Sequence, residues 1–322
     1  MDELGFIKLA ERSMSAVSSC GEGIGDDCAV IPTSVGRVTV VTTDMLAEGV
    51  HFRLSTSSAY DIGWKSLAVN LSDVASMGVR PVASFMAIAR PDGLSDEWYE
   101  EFMAGYRDLS VRFGVPLMGG DTTASESGLT VCVTAIGEGE AAHVKRRSAA
   151  LSGDIVMTAG TLGDSAAGLS LAESGSTRYP ALLKAHLSPS PQVEEGQWLG
   201  GRREVHAMTD ISDGVAKDLG QICRMSGTGA RVELTRLPLS DDMRRYCAEE
   251  NIDPAVPALC GGEDFKLLFT VDEAEADTLA ADFASHFGYA PYPIGRMTPS
   301  GGIEWLRHGV AVNERFTGYI HR

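Results

Sequence analysis

The chain has 322 residues, of which 44% are hydrophobic and 22% are charged, a composition typical of a globular protein with a sizeable core. Forty-four acidic residues against 27 basic residues give a net charge of −17, which argues against the positive surface that nucleic acids and anionic membranes require. At about 150 residues per domain, the length predicts two domains.

The cysteines and the first residues indicate where in the cell the protein is located. Six cysteines are scattered without a C-x-x-C pair, which is typical of reduced thiols rather than of a disulfide framework or a zinc site. The opening segment MDELGFIKLAERS has acids where a signal peptide requires basic residues. No apolar run reaches the ~18 residues of a membrane helix. We therefore expect a soluble, cytoplasmic protein with no nucleic-acid or membrane partner.

In chain order, the first half alternates helices and strands. An amphipathic helix is predicted at 3–19, and a glycine-rich segment follows, ending in Asp26 and Asp27. A β-branched strand at 37–44 ends in Thr42, Thr43 and Asp44. After the central helix described next, we predict a strand at 82–89, a helix that Gly114 closes, a strand at 116–121 leading to the turn GGDTT, and a strand at 129–136.

The central helix lies in DIGWKSLAVNLSDVASMGVRP, residues 61–81. Asn70 and Asp73 are three residues apart on one of its faces, so both can point into one pocket. An acid on a core-facing helix is unfavourable to bury unless a cation or hydrogen bonds satisfy it. The buried stripe itself is predicted from apolar residues at helical spacing, namely Leu67, Ala68, Leu71, Val74 and Ala75.

The second half begins after a segment of small and charged residues, GEGEAAHVKRRSAALSGD. We predict a strand at 154–159, the turn GTLGDS, a helix through Leu171, and a loop at 174–191 rich in Ser, Gly and Pro. A strand at 205–209 reaches DISDG, from which a helix runs toward Met225. A strand at 230–235, a helix near 241–250, the segment GGEDFKLLFTV and a tail of short strands and turns follow. Both halves therefore predict an α/β domain.

Seven aspartates form a set, and all except one lie just after a strand or in a turn, where active-site groups tend to be placed. Two carboxylates ~4 Å apart repel by about 4 kcal/mol at an effective dielectric constant of ~20, so several such pairs would offset a typical domain stability of ~5–15 kcal/mol. Convergence therefore requires cations, and oxygen-only ligands favour Mg²⁺ over Zn²⁺. Taken singly, each aspartate is better explained as a turn former or helix cap than as a ligand. The set is Asp26, Asp27, Asp44, Asp73, Asp121, Asp210 and Asp213.

Both common nucleotide fingerprints, G-x-x-x-x-G-K-[ST] and a complete G-x-G-x-x-G, are absent from the sequence. Seven segments nevertheless resemble, in order, the motifs of the thiamine-monophosphate kinase family: GIGDDCAV, TTDMLAEGVHF, KSLAVNLSDVASMGVRP, GGDTT, GDSAAGL, DISDGVAKDLG and GGEDFKLLFT. That family belongs to the superfamily of aminoimidazole ribonucleotide synthetase, selenophosphate synthetase and the hydrogenase maturation factor HypE. The resemblance extends from about residue 20 to about residue 320.

The resemblance implies a fold and an activity. An N-terminal α/β domain, residues 1–143, would dimerise by pairing sheets, and a C-terminal α/β domain, residues 144–322, would cover an ATP cleft. The enzyme would phosphorylate thiamine monophosphate to thiamine diphosphate with ATP and several Mg²⁺ ions. Direct in-line transfer needs no general base, because a phosphate monoester with a second pKa near ~6 is largely dianionic at neutral pH.

The resemblance also implies roles for individual residues. Asp73, Asp121, Asp210 and Asp213 would be catalytic. Substrate contacts would come from His51, Glu263 and Phe316, where Phe316 in RFTGYIH replaces the Trp of the family's W-x-G-Y-x-H pattern. ATP contacts would come from Gly120, Asp121, Arg147 and Ser212. The metal ligands would be Asp27, Thr42, Thr43, Asp44, Asp73, Asp121, Asp210 and Asp213.

Two alternatives stay open at this point. The chain could be another member of the superfamily acting on a formylglycinamidine or selenide acceptor. Selenophosphate synthetases typically carry a catalytic Cys or selenocysteine with a nearby Lys, and Cys20 is the sole candidate here, without such a Lys. A catalytically silent nucleotide-binding module is the second alternative, and the intact set of acids argues against it.

Overall fold

The computed structural model describes residues 26–299 and 301–319. The predicted helix at 3–19, Cys20 and the glycine-rich residues 21–25 lie outside the described residues. The described chain forms two β-sheets flanked by helices, which confirms the mixed α/β fold. Among the helices in these two ranges, none combines the length and the apolar character needed to cross a membrane.

The first sheet contains five strands in the order β1-β2-β5-β3-β4. All neighbours are antiparallel except β3 and β4, which are parallel and are joined by a helical crossover. One helix packs on β2 and β5, and the crossover helix packs beside it. The elements are β1 (Ala29–Ser34), β2 (Arg37–Ala47), α1 (Ala59–Ser76), β3 (Arg80–Pro91), α2 (Asp96–Phe113), β4 (Leu117–Ser125) and β5 (Thr130–Glu140).

Helix α1 is the predicted central helix. It begins at an N-cap in which the Ser58 side chain accepts a hydrogen bond from the Asp61 backbone N–H, and Gly78 follows its end at a positive φ of 76°. All five residues of the predicted apolar stripe have no solvent exposure. The helix is buried on most of its circumference, so its polar side chains also face protein rather than water.

The second sheet has seven strands in the order β12-β11-β8-β10-β6-β9-β7. Its strands are β6 (Ile155–Thr158), β7 (Val205–Asp210), β8 (Gly229–Glu233), β9 (Leu267–Val271), β10 (Tyr292–Thr298), β11 (Ile303–Arg307) and β12 (Val310–Ala311). The helices of this half are α3 (Asp164–Glu173), α4 (Pro180–Leu187), α5 (Val193–Gly200), α6 (Val215–Ser226), α7 (Asp241–Glu250), α8 (Ala255–Cys260) and α9 (Ala276–Phe287).

The two halves pack tightly where α5 meets the end of α1. A Cβ atom added at Gly196 would lie 2.2 Å from the Ala75 carbonyl oxygen, and one added at Gly200 would lie 2.2 Å from that of Gly78. Glycine is therefore required at both positions for the close approach. The segment between the sheets contains two short 3-10 turns, at 141–143 and 147–149. The predicted domain boundary at 143/144 falls there and stays a prediction.

Two predicted elements are wrong, and several were missed. The segment 174–191 is not only a loop, because it contains α4, which has Pro180 at its first turn and buries Leu182. The residues GGDTT form part of strand β4 rather than a turn, since β4 continues through them beside β3. Strand β1 and helices α5, α8 and α9 were not predicted.

Candidate active site

Three acids, one buried and two half-buried, meet where the two halves of the chain join. Asp27 precedes β1, Asp73 lies on α1 and Asp210 ends β7, and one carboxylate oxygen from each lies within 4.8 Å of the others. The first half therefore supplies two of the acids and the second half supplies the third. We call Asp27, Asp73 and Asp210 the acid group.

Neighbouring polar groups from α1 and β2 fix the acid group. Thr42 donates its hydroxyl hydrogen to Asp73 Oδ2 at 2.5 Å, and the Asp44 backbone N–H donates to Asn70 Oδ1 at 3.2 Å. Ser72 donates to Asp210 Oδ2 at 2.6 Å. Asn70 and Asp73 thus face the same region, as their spacing predicts.

The acids raise one another's pKa values. Burial raises the pKa of Asp73 well above its usual range, and the carboxylates of Asp44 and Asp210 raise it further. Burial and the charge of Asp27 raise the pKa of Asp44 to about 6 and that of Asp210 to about 8. Without a cation, the site therefore resists holding all of these groups in their charged form.

The donor set fits a hard divalent cation. Asp210 Oδ1 is buried and has no hydrogen-bond partner among the described residues. A buried carboxylate oxygen without a partner is unfavourable unless a cation or water satisfies it. The grouped ligand atoms are carboxylate oxygens, which Mg²⁺ prefers.

Arg147 supplies a cation from the chain itself. Its guanidinium group pairs with Asp27, and its Nε donates to Thr209 Oγ1 at 3.1 Å. Burial lowers the pKa of Arg147, but the charges of Asp27, Asp210 and Asp26 outweigh burial and raise the pKa overall. Within residues 26–299 and 301–319, this one guanidinium only partly neutralises the acid group.

Two further predicted residues, Thr43 and Asp121, lie on the opposite face of the first sheet. Side chains alternate along β2, so Thr42 points toward α1, whereas Thr43 points away and lies 2.5 Å from Thr134 Oγ1. Asp121 is opposite Ala87 of β3, and the same row across the sheet continues through Cys132 of β5 to Met45 of β2. Met45 is two residues from Thr43 on β2, so Asp121 and Thr43 share one face of the sheet. Gly120 and Asp121 are exposed on β4. The structure thus does not bring Thr43, Gly120 or Asp121 into the acid group.

The remaining predicted residues, apart from Phe316, line two cavities that share part of their walls. A cavity of about 310 Å³ has Asp44, Ser212 and Asp213 among its lining residues. A larger cavity of about 790 Å³ lies between the loop after β2 and the second half of the chain. The residues that line both are Val50, His51, Leu169, Glu263 and Tyr319. The predicted substrate residues His51 and Glu263 therefore lie together beside the acids.

Phe316 lies elsewhere. Its partly buried ring packs edge-to-face on Trp305 with 5.3 Å between centroids, against the core of the second half. The aromatic ring at both cavities is that of Tyr319, whose backbone N–H donates to the Asp213 carbonyl oxygen at 2.9 Å. The structure therefore gives Phe316 a packing position, and its predicted substrate contact is not supported by this geometry.

Sequence reasoning missed four polar residues at the site. Lys65 and His186 contact the Glu263 carboxylate, Tyr319 lines the cavities, and Asp218 Oδ2 accepts a hydrogen bond from the Asp213 backbone N–H at 3.2 Å. The burial of Lys65 was predictable from the sequence, because Lys65 lies at helical spacing from the apolar residues Ile62 and Val69.

Two family models match successive parts of the chain. Residues 25–138 match the model of the AIR synthase related protein, N-terminal domain, and residues 152–306 match that of the AIR synthase related protein, C-terminal domain. The acid group draws on both regions.

Among characterised relatives, the thiamine-monophosphate kinase of Escherichia coli O157:H7 is 37% identical over 307 residues, covering 93% of this chain and 91% of the relative. The structure of AaThiL complexed with AMPPCP and TMP has a TM-score of 0.87 and 30% identity, covering 100% of this chain and 97% of the other. The thiamine-monophosphate kinase structure from Stenotrophomonas maltophilia K279a has a TM-score of 0.78 and 34% identity, covering 97% and 99%.

Proposed function

This chain belongs to the thiamine-monophosphate kinase family of AIR synthase related proteins, and we propose that it transfers the γ-phosphoryl group of ATP to thiamine monophosphate, forming thiamine diphosphate and ADP. The observation that carries this assignment is the acid group formed by both halves of the chain. Asp44, whose pKa burial and the charge of Asp27 raise, lines the smaller cavity, and this cavity shares part of its wall with the cavity of about 790 Å³, which is large enough for an organic substrate. An anionic acceptor and an anionic donor both need cations at such a site.

The proposed metal ligands near the acid group are Asp27, Thr42, Asp44, Asp73, Asp210 and Asp213. When bound there, Mg²⁺ would neutralise the facing phosphate groups and the clustered carboxylates. Arg147 and Ser212 would bind the ATP phosphates beside it, and Arg147 would then exchange its pairing with Asp27 for a phosphate contact. The nucleophile is an oxygen of the substrate phosphate, which is already largely deprotonated at neutral pH, so the transfer requires no general base.

An acceptor panel tests the assignment. Three parallel reactions contain the protein, Mg-ATP and one acceptor each: thiamine monophosphate, a formylglycinamidine ribonucleotide or selenide. ADP, AMP and the acceptor products are then separated and measured. We expect ADP and thiamine diphosphate to form only with thiamine monophosphate. Turnover with another acceptor would identify a different member of the superfamily, and ATP binding without turnover would indicate the silent module.

The first sheet offers a surface for a homodimer. Helices cover one face, whereas the other, the open face, is formed by Thr43, Met45, Phe85, Cys132 and Thr134, with Met45 58% and Phe85 39% exposed. Exposed large apolar side chains in one sheet face are typical of an interface. Thr43, Gly120 and Asp121 share or border this face, and we propose that they act at the dimer contact.

We expect Phe85→Lys to convert a dimer into a monomer, because it places a charge in the middle of the open face. Sedimentation velocity measures the change, with the exposed Arg178→Ala as a control that keeps the dimer. A monomeric parent protein would refute the dimer.

A cytoplasmic location is also proposed. It is supported by the free thiols of the described cysteines, Cys28, Cys132, Cys223, Cys247 and Cys260. Recovery of the protein in a membrane or secreted fraction of its host would contradict this location.

The two aromatic residues near the end of the described chain should behave differently on substitution. Tyr319→Ala should raise the KM for thiamine monophosphate by about 2- to 30-fold, because an aromatic face attracts the thiazolium cation with about 0.5–2 kcal/mol. Phe316→Ala should instead lower the free energy of unfolding by about 1–3 kcal/mol through lost packing on Trp305. Steady-state kinetics and thermal denaturation measure both.

Tyr319→Phe is the matched control, since it keeps the ring and should keep the KM close to that of the parent. If Phe316→Ala raised the KM for thiamine monophosphate and left the stability unchanged, Phe316 would be the substrate aromatic, as the sequence resemblance implies.

A further inference from the structure

Lys65 is a buried lysine of α1 that lies outside the acid group. Its side chain is 4% exposed, and its ammonium group lies 2.8 Å from Glu263 Oε1. The same ammonium group donates to the His51 carbonyl oxygen at 3.3 Å. One cation of the first half therefore contacts both residues to which substrate recognition is ascribed, and these two residues lie in different halves of the chain.

The backbone at Glu263 is held by the second half. Glu263 and Phe265 both have positive φ values, 54° and 48°, which are uncommon for residues other than glycine. Asp264 between them accepts hydrogen bonds from the backbone N–H groups of Gly163 at 2.7 Å and Ser165 at 3.3 Å, at the beginning of α3. The Glu263 backbone is thus fixed in an unfavourable conformation that tertiary contacts maintain.

The Glu263 carboxylate is oriented by two side chains. Lys65 binds Oε1, and His186 Nδ1 lies 3.3 Å from Oε2. Although burial raises the pKa of Glu263, Lys65 and His186 lower it to about 2 overall, so the group is a carboxylate at neutral pH. Each oxygen has a partner in the wall, and 28% of the Glu263 side chain is exposed toward the cavity.

We propose that Lys65 is a positioning residue for the organic part of the substrate, an inference that rests on the proposed function. Its ammonium group sets the distance between the His51 loop and the Glu263 carboxylate, and so fixes the width and polarity of the larger cavity. Without the ammonium group, the His51 loop and the Glu263 carboxylate lose the contact that holds them at this distance. Its removal also leaves a half-buried carboxylate without its cation, which favours rearrangement of Glu263.

The test compares Lys65→Met, which keeps the length of the side chain without its charge, with the parent protein. We expect the KM for thiamine monophosphate to rise by about 10- to 100-fold, since small displacements of binding groups have effects of this size. The KM for ATP should stay within about twofold, because neither contact of Lys65 involves the acid group or Arg147. Lys65→Arg keeps the charge with a different geometry and should show a smaller rise.

Ser188→Ala is the matched control. Ser188 donates to Asp61 of the same helix α1 from the second half, so this variant also removes one contact between the halves. Ser188 is not part of the larger cavity's lining, and both KM values should stay unchanged.

The outcomes separate the inference from the proposed function. If the parent protein forms no thiamine diphosphate, the proposed function fails. If the parent is active and Lys65→Met only loses thermal stability, or raises both KM values equally, Lys65 is merely structural and the inference is overturned. If Lys65→Met does not fold, a Lys65→Arg protein with the parent KM for thiamine monophosphate overturns it as well.

Discussion

Replacement of Asp73 by Asn is expected to lower kcat by about 100- to 1,000-fold, with the fold retained. Asp73 is central to the acid group, and the substitution keeps its shape while removing one negative charge from the proposed metal site. Loss of one preorganised electrostatic contact in an enzyme site typically has an effect of this size. Steady-state kinetics with saturating ATP, together with circular dichroism, measure the change.

The same variant should be at least as heat-stable as the parent protein in metal-free buffer. In metal-free buffer, burial and the neighbouring carboxylates raise the pKa of Asp73, so the folded protein already disfavours a charged group at this position and a neutral amide is tolerated at least as well. Asp92→Asn, which changes an exposed acid, is the control and should alter neither property. An Asp73→Asn protein with parent turnover would exclude Asp73 from the metal site.

Removal of divalent cations should abolish activity completely, and added Mg²⁺ should restore it. The cation also binds the folded state only, so Mg²⁺ at about 100 times its Kd should raise the free energy of unfolding by about 2.7 kcal/mol. The thermal midpoint should therefore rise by several degrees, as measured by calorimetry with and without Mg²⁺.

Sodium chloride at matched ionic strength is the control for this experiment, because salt alone screens exposed charges. It should reproduce little of the shift, since the acid group is largely buried. Asp73→Asn should show a smaller Mg²⁺-dependent shift than the parent protein. Full activity in the presence of a chelator would show that the acids hold no essential metal.

The central helix was predictable because its signals are local. The apolar period, the glycine at its end and the three-residue spacing of Asn70 and Asp73 are all visible in the sequence, and α1 has each of them. The convergence of Asp73 with Asp210 was not visible in spacing alone, because their 137-residue separation is bridged by packing between the two halves. The resemblance to a family, not periodicity, connected them.

The errors have physical reasons too. Composition predicted a loop at 174–191, but its Ser, Gly and Pro residues flank a short run, ALLKAHL, that buries one face as α4. The glycines of GGDTT suggested a turn, yet Gly120 continues the strand, where an added Cβ would lie 1.7 Å from the Met86 carbonyl oxygen. These outcomes depend on neighbours distant in the sequence.

The separation of the predicted ligands onto two faces of the first sheet was partly predictable from the sequence. Period-two alternation in RVTVVTTD already assigns Thr42 and Asp44 to one face and Thr43 to the other. Which face holds α1 required the tertiary structure. Lys65 was similarly readable as a charged residue on an apolar stripe, but its contact with Glu263 spans the two halves and required coordinates.

A single-turnover experiment with γ-labelled ATP tests the central claim most directly. Enzyme in excess over labelled ATP is mixed with Mg²⁺, with or without thiamine monophosphate, and quenched over time, and the label is followed in protein, free phosphate and thiamine diphosphate. We expect all transferred label in thiamine diphosphate, no labelled protein without the acceptor, and no transfer in chelator. Label that passes first into a chemically competent phosphoprotein, or that appears only as free phosphate, would contradict direct transfer at this site.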